Sequence, residues 1–511
     1  MISLEREKDI EVLRQAALLL ESENRRLHLR IAEVLAELTS LKGGNPKALQ
    51  LELEKLQRQL ALQSAKLFAP SSSERRVEPA AAPPKKPQTG HGPRQQPSLP
   101  FIERIHALES DERKCEKCGG LMVEMKGQYE ESEEITIVHR RFEVHQHKQQ
   151  KYRCACNECI VTAPGPLKLF DGARYSIDFA IEVAIDKYMN HLPLERQCRM
   201  MKRDGLRVDS QTLWDYLDGL AATLEPLRPR IHDLVLQSEV VHADETRWRK
   251  MAGRGEKGQG SEWWYDWTIC SSQAIYHYID PSRGAVVARK LLAGYTGTVM
   301  ADGYSVYSSV AQARDGPTFR LASCWPHARR KFIEVEKNFP QPVSEILELI
   351  AQLYRIEDKV TAEGAEGLAQ RARLRDQESR EVIDEIEKWG KRTLATVLPQ
   401  SGLASAIKYM QGQWKGLIVF LDDPLVPLDN NFAERSLRGV VLGRKNHYGS
   451  RSERGAQVAS LMYTLMETCK LHGVDPRAYL KAAVVARLNH KPMPLPHEYA
   501  ASLAAAAATV A

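Results

Sequence analysis

VVHADETRWR (240–249) and TVMADGYSVY (298–307) decide the fold. In each, an apolar, β-branched run leads into Ala-Asp, which predicts a strand delivering an aspartate, Asp244 or Asp302, at its end. A third segment, LDNNFAERSLR (428–438), predicts a helix with Glu434 one turn in, its start capped by Asp429 or Asn430. Two strand-end aspartates and a distant helical glutamate are the hard oxygen donors that a two-metal site requires, with Mg²⁺ ions roughly 4 Å apart. Taken singly, each acid has an ordinary explanation: a turn residue for Asp244 and Asp302, and a surface charge paired with Arg438 for Glu434.

The neighbours of these acids narrow the chemistry. Arg435, Arg438, Arg444 and Lys445 follow Glu434, and CWPHARRKF (324–332) adds His327, Arg329, Arg330 and Lys331 downstream of Asp302. Cations crowded around an acidic centre suit a polyanionic substrate whose phosphates need neutralising. A glycosidase also uses paired carboxylates but has no need of such cations.

Upstream of the acids, residues 177–224 have helical periodicity. Within them, LPLERQCRMMKRDGLRVDSQTLWDYLDGL (192–220) reads as two helices joined at Gly205, with Leu194, Cys198, Met201, Leu213 and Leu217 inward and Asp209 or Ser210 capping the second. As a helix-turn-helix, the pair would offer Gln211 and Thr212 to base edges in a major groove; an ordinary helical hairpin is the other reading.

Farther out, Cys115-x-x-Cys118-Gly119-Gly120 has the form of half a zinc knuckle. The second half, Cys154-x-Cys156-x-x-Cys159, holds three thiols where two are needed; the spacing favours Cys156 and Cys159, with Cys154 spare or a substitute. Between the halves, Ile135, Ile137, Phe142 and Val144 alternate with polar residues and predict strand over 134–153. From Pro70 to Pro100 the chain holds eight prolines, which makes this stretch a linker rather than a packed element. Before it, Ile10, Ala17, Asn24, Ile31 and Leu38, with Leu13, Leu20, Leu27, Val34 and Leu41, follow a coiled-coil heptad, and Asn24 is a register-setting polar residue. Self-association is the favoured reading over a hairpin folded on itself.

The 511 residues carry a net charge of +6, too small for a histone-like tail but compatible with a binder whose cations gather on one face. With 43% hydrophobic and 27% charged residues, composition is that of a globular protein. No run of 18 apolar residues exists, and MISLEREKDI (1–10) has no apolar signal core, so a cytoplasmic chain without a membrane segment is expected.

These motifs carry a family resemblance. The sequence resembles transposases of the insertion sequence 66 family, of bacterial mobile elements, through KLFAPSSSE (66–74), the C-x2-C-G-G knuckle, KYRC with APGP (163–166), KYMNHLPLERQ (187–197), HADETRW (242–248), MADGY (300–304), CWPHARRKF and LDNNFAER…GRKN (428–446). The resemblance implies a multidomain α/β protein with an RNase H-like core, in which Asp244, Asp302 and Glu434 are the catalytic acids binding Mg²⁺ or Mn²⁺. It also implies that the zinc ribbon and helix-turn-helix grip the element's ends, which fits the residue reading of Zn²⁺ on Cys115, Cys118, Cys156 and Cys159 and of DNA contacts from Gln211, Thr212, His327, Arg329, Arg330, Arg435, Arg438, Arg444 and Lys445.

The corresponding organisation is a coiled coil over 1–69 and a linker over 70–100. A zinc-binding domain over 101–166 and a helix-turn-helix-like domain over 167–230 follow. A catalytic domain over 231–455 carries a helical insertion at about 335–400, and a helical segment with an alanine-rich tail closes the chain over 456–511. The implied partners are the element's terminal inverted repeats, target DNA, a second copy through the coiled coil, and accessory proteins of the same element, with the chain associated with the bacterial nucleoid. The implied reaction is metal-assisted hydrolysis at the element end, followed by attack of the released 3′-hydroxyl on target DNA. A domesticated, inactive DNA-binding copy and a nuclease that cuts without joining are the competing readings. Two features depart from the family pattern: the C-x-C-x2-C group, and the ending HKPMPLPHEYA (490–500) with the alanine tail.

Overall fold

Two short strands, β1 (Lys151–Arg153) and β2 (Ile160–Thr162), pair antiparallel in the computed structural model, which describes residues 141–153, 160–251, 261–313 and 319–510. These belong to the unit Glu133–Ala511. The coiled coil, the linker, Cys115, Cys118, Cys154, Cys156 and Cys159 lie outside the described residues.

The strand expected over 134–153 is corrected where it is described: residues 141–150 have no strand, and only 151–153 pair. Alternation builds a strand where one face meets a core. Here the contact is partial: Phe142 packs against the cluster of Val183, Met201 and Leu213, while Val144 is 92% exposed.

Four helices follow: α1 (Ile177–Tyr188), α2 (Leu194–Arg203), α3 (Ser210–Leu224) and α4 (Leu227–Leu236). The α2–α3 turn forms as its sequence dictates. Gly205 sits at φ +91, which a side chain would resist. Asp209 caps α3 by accepting from the Thr212 amide at 2.7 Å. Met201, Leu213 and Leu217 are buried, and Leu194 and Cys198 are partly buried against them.

The central sheet comes next, with β3 (Val240–Lys250), β4 (Glu262–Cys270) and β5 (Ile275–Asp280), then α5 (Ala285–Leu291), β6 (Thr298–Ala301), α6 (Ser305–Ala311) and β7 (Arg320–Ser323). Its order is β5-β4-β3-β6-β7; β3, β4 and β5 run antiparallel, while β6 and β7 join parallel to β3. Helices cover both faces. Val299 and Ala301 join one apolar core, while Met300 and Ala322 join a second, as the period-two alternation of a strand requires.

The helical region after β7 begins with α7 (Trp325–Ile333), then α8 (Pro340–Glu357), α9 (Gly364–Leu374), a π-helical turn (Arg375–Ser379), α10 (Arg380–Thr396), α11 (Gly402–Gly412) and α12 (Trp414–Leu417). Helical structure therefore continues past residue 400, where the insertion was expected to end. Arg375, 1% exposed, ties these helices together: it pairs with Glu357 at 2.6 and 2.9 Å and donates to the carbonyls of Phe420 and Asp423.

The chain finishes with α13 (Asn431–His447), α14 (Glu453–Leu471), α15 (Pro476–Leu488) and α16 (Pro496–Val510), so the alanine-rich tail is helical through Val510. The outer edge of β5 would expose unpaired amides. Instead Thr464 and Thr468 of α14 accept from His277 and Ile275 at 2.9 and 3.2 Å, closing that edge to a further strand. Among the described residues no helix is long and apolar enough to cross a membrane.

Candidate active site

The strand-end expectation holds for Asp302 and is corrected for Asp244. Asp302 follows the last residue of β6, its carboxylate accepting from the Tyr304 amide at 2.9 Å. Asp244 is the fifth residue of an eleven-residue strand. The parallel partner β6 pairs only with Val240–His242, whereas β4 pairs with β3 through Lys250. Asp244 therefore sits mid-strand, just past the point where one neighbour departs. The sheet opens beside it, although its own strand continues.

Glu434 occupies the first turn of α13, but the expected cap works differently. Asp429 accepts from the Asn431 amide at 3.0 Å, whereas Asn430 makes no side-chain cap. Asn430 is fully buried; its amide donates to the Ala243 carbonyl at 2.8 Å, and its oxygen meets His242 Nδ1 at 3.1 Å. One side chain thus pins the start of the Glu434 helix to the strand residue beside Asp244. A second tie, from the Trp325 amide to the Leu428 carbonyl at 3.0 Å, brings the start of α7 to the same place.

The electrostatics register this assembly. Burial pushes the Asp244 carboxyl up from 3.8 to about 7, and the charges of Asp302, Glu245 and Glu434 add to the rise. A buried carboxylate beside like charges behaves this way even with Arg283 paired to Glu245, and a divalent cation would relieve it. The oxygens of the three expected ligands do not all lie within 4.8 Å of one another. The group that does is Cys324, His327 and Glu434, with His327 Nδ1 3.9 Å from Glu434. His327, expected as a DNA contact, is therefore half-buried against an acid of the site, and its Nδ1 makes no hydrogen bond.

Three site residues have roles that the sequence did not show. Cys324, at the start of α7, accepts from the Asn430 amide at 3.3 Å. Glu245 has a side chain 2% exposed and is gripped by Arg283 at 2.7 and 3.0 Å and by the Tyr307 hydroxyl at 3.2 Å. Burial raises its pKa, against the pull of Arg283. Asn430 is the third; the sequence singled it out only as a helix cap and gave no sign of its bond to β3.

The cations divide. Arg329, Arg330, Arg435, Arg438 and Lys445 are exposed, and among the described residues none has a carboxylate within salt-bridge reach. Arg444 is turned back onto β3, donating to Thr246 Oγ1 at 3.3 Å and to the Arg247 carbonyl. Burial lowers its pKa, and Arg247 adds to the effect. Of the expected α3 contacts, Gln211 is exposed with its amide on Asp215 at 2.8 Å, and Thr212 is half-buried.

Comparison with known proteins adds two family matches. The model described as Transposase IS66 family matches residues 172–458, which contain all three acids. That described as zinc-finger binding domain of transposase IS66 matches 112–157, which holds Cys115, Cys118, Cys154 and Cys156 and stops short of Cys159. Among relatives, the uncharacterized protein y4jD of Sinorhizobium fredii is 30% identical over 384 residues, covering 73% of this chain and 74% of its own. The uncharacterized protein y4hP of the same organism is 30% identical over 487 residues, covering 87% and 86%.

Proposed function

The chain belongs to the IS66 transposase family, and from that premise we propose that it is an active DNA transposase that cuts at the ends of its element and joins them to a target. The mixed sheet, with three antiparallel and two added parallel strands, is read as an RNase H-like core carrying Asp244, Asp302 and Glu434. The observation that carries the proposal is Asp244 gathered with Asp302 and Glu434, its carboxyl raised by burial and by their charges, while Arg283, the cation paired within the group, is taken up by Glu245.

The donor set suits Mg²⁺ or Mn²⁺, held by Asp244, Asp302 and Glu434. Bound there, the metal supplies activation of the attacking oxygen and stabilisation of the leaving one. The chain's own residues prepare the ground. Asn430 fixes the Glu434 helix against β3, and Arg283 holds Glu245 away from solvent. Exposed Arg329, Arg330, Arg435, Arg438 and Lys445 neutralise phosphates flanking the scissile bond. Arg444 is assigned to the fold instead.

The α2–α3 pair and the zinc-binding segment grip the terminal repeats, with Zn²⁺ on Cys115, Cys118 and two of Cys154, Cys156 and Cys159. The coiled coil pairs protomers. The test uses purified full-length chain, Mg²⁺ or Mn²⁺, and labelled DNA carrying the element's flanking repeats. Joined products are expected from the wild type. Asp244→Asn, Asp302→Asn and Glu434→Gln should abolish both cutting and joining while gel shifts persist. Strand transfer retained by any of them refutes the assignment, and cutting without joining leaves a nuclease.

A further inference from the structure

A cavity of about 310 Å³ opens away from the acids, where the end of α1 and the starts of α2, α3 and α14 meet the end of α13. Its size is at the lower end of the about 300–1,000 Å³ typical of small-ligand sites. Lys187 and Arg451 line it, and among the described residues neither has a carboxylate partner. Burial brings the Lys187 amine down to about 8, and Arg451 is near enough to add to the fall. Two cations held together without an anion are costly unless a ligand supplies one. The acid at the rim, Glu195, is occupied by the Ser210 hydroxyl at 2.6 Å. The N-terminus of the nineteen-residue helix α14 borders the same space through Ser452 and Gly455, adding a dipole of the sign that attracts anions.

A bare anion does not account for the remaining walls. Half-buried Trp214 presents an aromatic surface. His447, only 7% exposed, lines the cavity with one edge of its ring, while its Nε2 lies beside Gly443 near the Tyr463 hydroxyl. Burial and the nearby Lys187 bring its pKa down to about 3, so the imidazole is neutral and offers one donor and one acceptor. A cationic end, an aromatic wall and a neutral imidazole at the edge together suit one nucleotide.

We propose that this cavity binds a single unpaired nucleotide of the DNA, its phosphate on Lys187 and Arg451, its base against Trp214 and its polar edge toward His447. The proposal rests on the DNA-processing reading above. A nucleotide drawn out of the stack pays an unstacking cost of a few kcal/mol, which the aromatic wall and cation pair offset.

The test titrates the full-length chain with deoxyadenosine monophosphate, deoxyadenosine and inorganic phosphate, following tryptophan fluorescence and heat. The monophosphate should saturate and bind more tightly than either fragment. Trp214→Ala should weaken it about 5- to 150-fold, the range that losing one base–aromatic stack implies, and Trp214→Phe should recover most of the loss. Arg451→Ala, at an exposed position that keeps the fold, should weaken the monophosphate and leave deoxyadenosine unaffected. In gel shifts, a duplex with a one-nucleotide bulge should outcompete its fully paired counterpart, and Arg451→Ala should remove that preference. Phosphate binding as tightly as the monophosphate, absence of saturation, or indifference to both substitutions overturns the proposal. Monophosphate binding without any duplex binding would instead sink the transposase reading and leave a nucleotide pocket.

Discussion

Asp244→Asn should stabilise the metal-free protein while destroying its activity. The wild-type carboxyl ionises at about 7 in the fold against an ordinary 3.8, through burial first and the charges of Asp302, Glu245 and Glu434 second. At about 1.4 kcal/mol per tenfold change, the ionised form costs the fold about 4 kcal/mol. Partial solvent access reduces this to about 2–4 kcal/mol. The sign follows from proton linkage. Below about pH 4 the group is protonated in folded and unfolded chains alike and costs nothing. Between about 4 and 7 the unfolded chain has released its proton while the folded chain holds it, so wild-type stability falls as pH rises and levels off above 7. Asparagine has the shape without the charge. The stability difference in denaturant melts should therefore be near zero at pH 4 and grow to about 2–4 kcal/mol at pH 8 in chelator. Saturating Mg²⁺ should raise the wild type and leave the variant unmoved, because a ligand that binds only the folded state stabilises it. Equal stability at pH 8 in chelator, or an asparagine variant less stable than wild type, would refute the picture of Asp244 as an uncompensated charge held for a cation.

Three further expectations use other residues. Asn430→Ala should lose both cutting and joining although every acid remains, and should cost about 1–3 kcal/mol by leaving the Ala243 carbonyl unpaired; activity retained at wild-type level would show that the α13 anchor is dispensable. Arg375→Ala should destabilise by about 1–3 kcal/mol, since it leaves two buried carbonyls unpaired and the Glu357 carboxylate with Arg371 alone, read as a drop in the denaturant midpoint. Replacing Arg329, Arg330, Arg435 or Arg438 by alanine should lower the slope of log affinity against log salt by about 0.9 for each phosphate no longer neutralised, whereas Arg444→Ala should lower stability and leave that slope unchanged.

The individual elements were legible locally. The run through 298–307 announced a strand ending at Asp302, and Gly205 with Asp209 announced the α2–α3 turn, because β-alternation, positive φ and side-chain capping are written within a few residues. Where such a pattern needs a distant partner, local reading failed. Of the alternation across residues 141–150 only Phe142 found a core, with no neighbouring strand among the described residues to pair, and β3 ran on past Asp244 because its antiparallel neighbour β4 is longer than its parallel neighbour β6.

By itself, the sequence determined the family and the local elements around Asp244, Asp302 and Glu434: a strand bearing the first, a strand before the second and a helix under the third. Each is a matter of residue type at a short spacing. Only the tertiary structure decided which side chains meet. It turned Asn430 from a cap into the clasp between β3 and α13, brought His327 and Cys324 beside Glu434, and folded Arg444 inward while its neighbours stayed in solvent. It also brought together Lys187, Trp214, His447 and Arg451, which span more than 260 positions of sequence. The physical reason is the same throughout: hydrogen bonds and charge–charge interactions act over a few ångströms of space, and separation along the chain carries no record of which residues that distance will join.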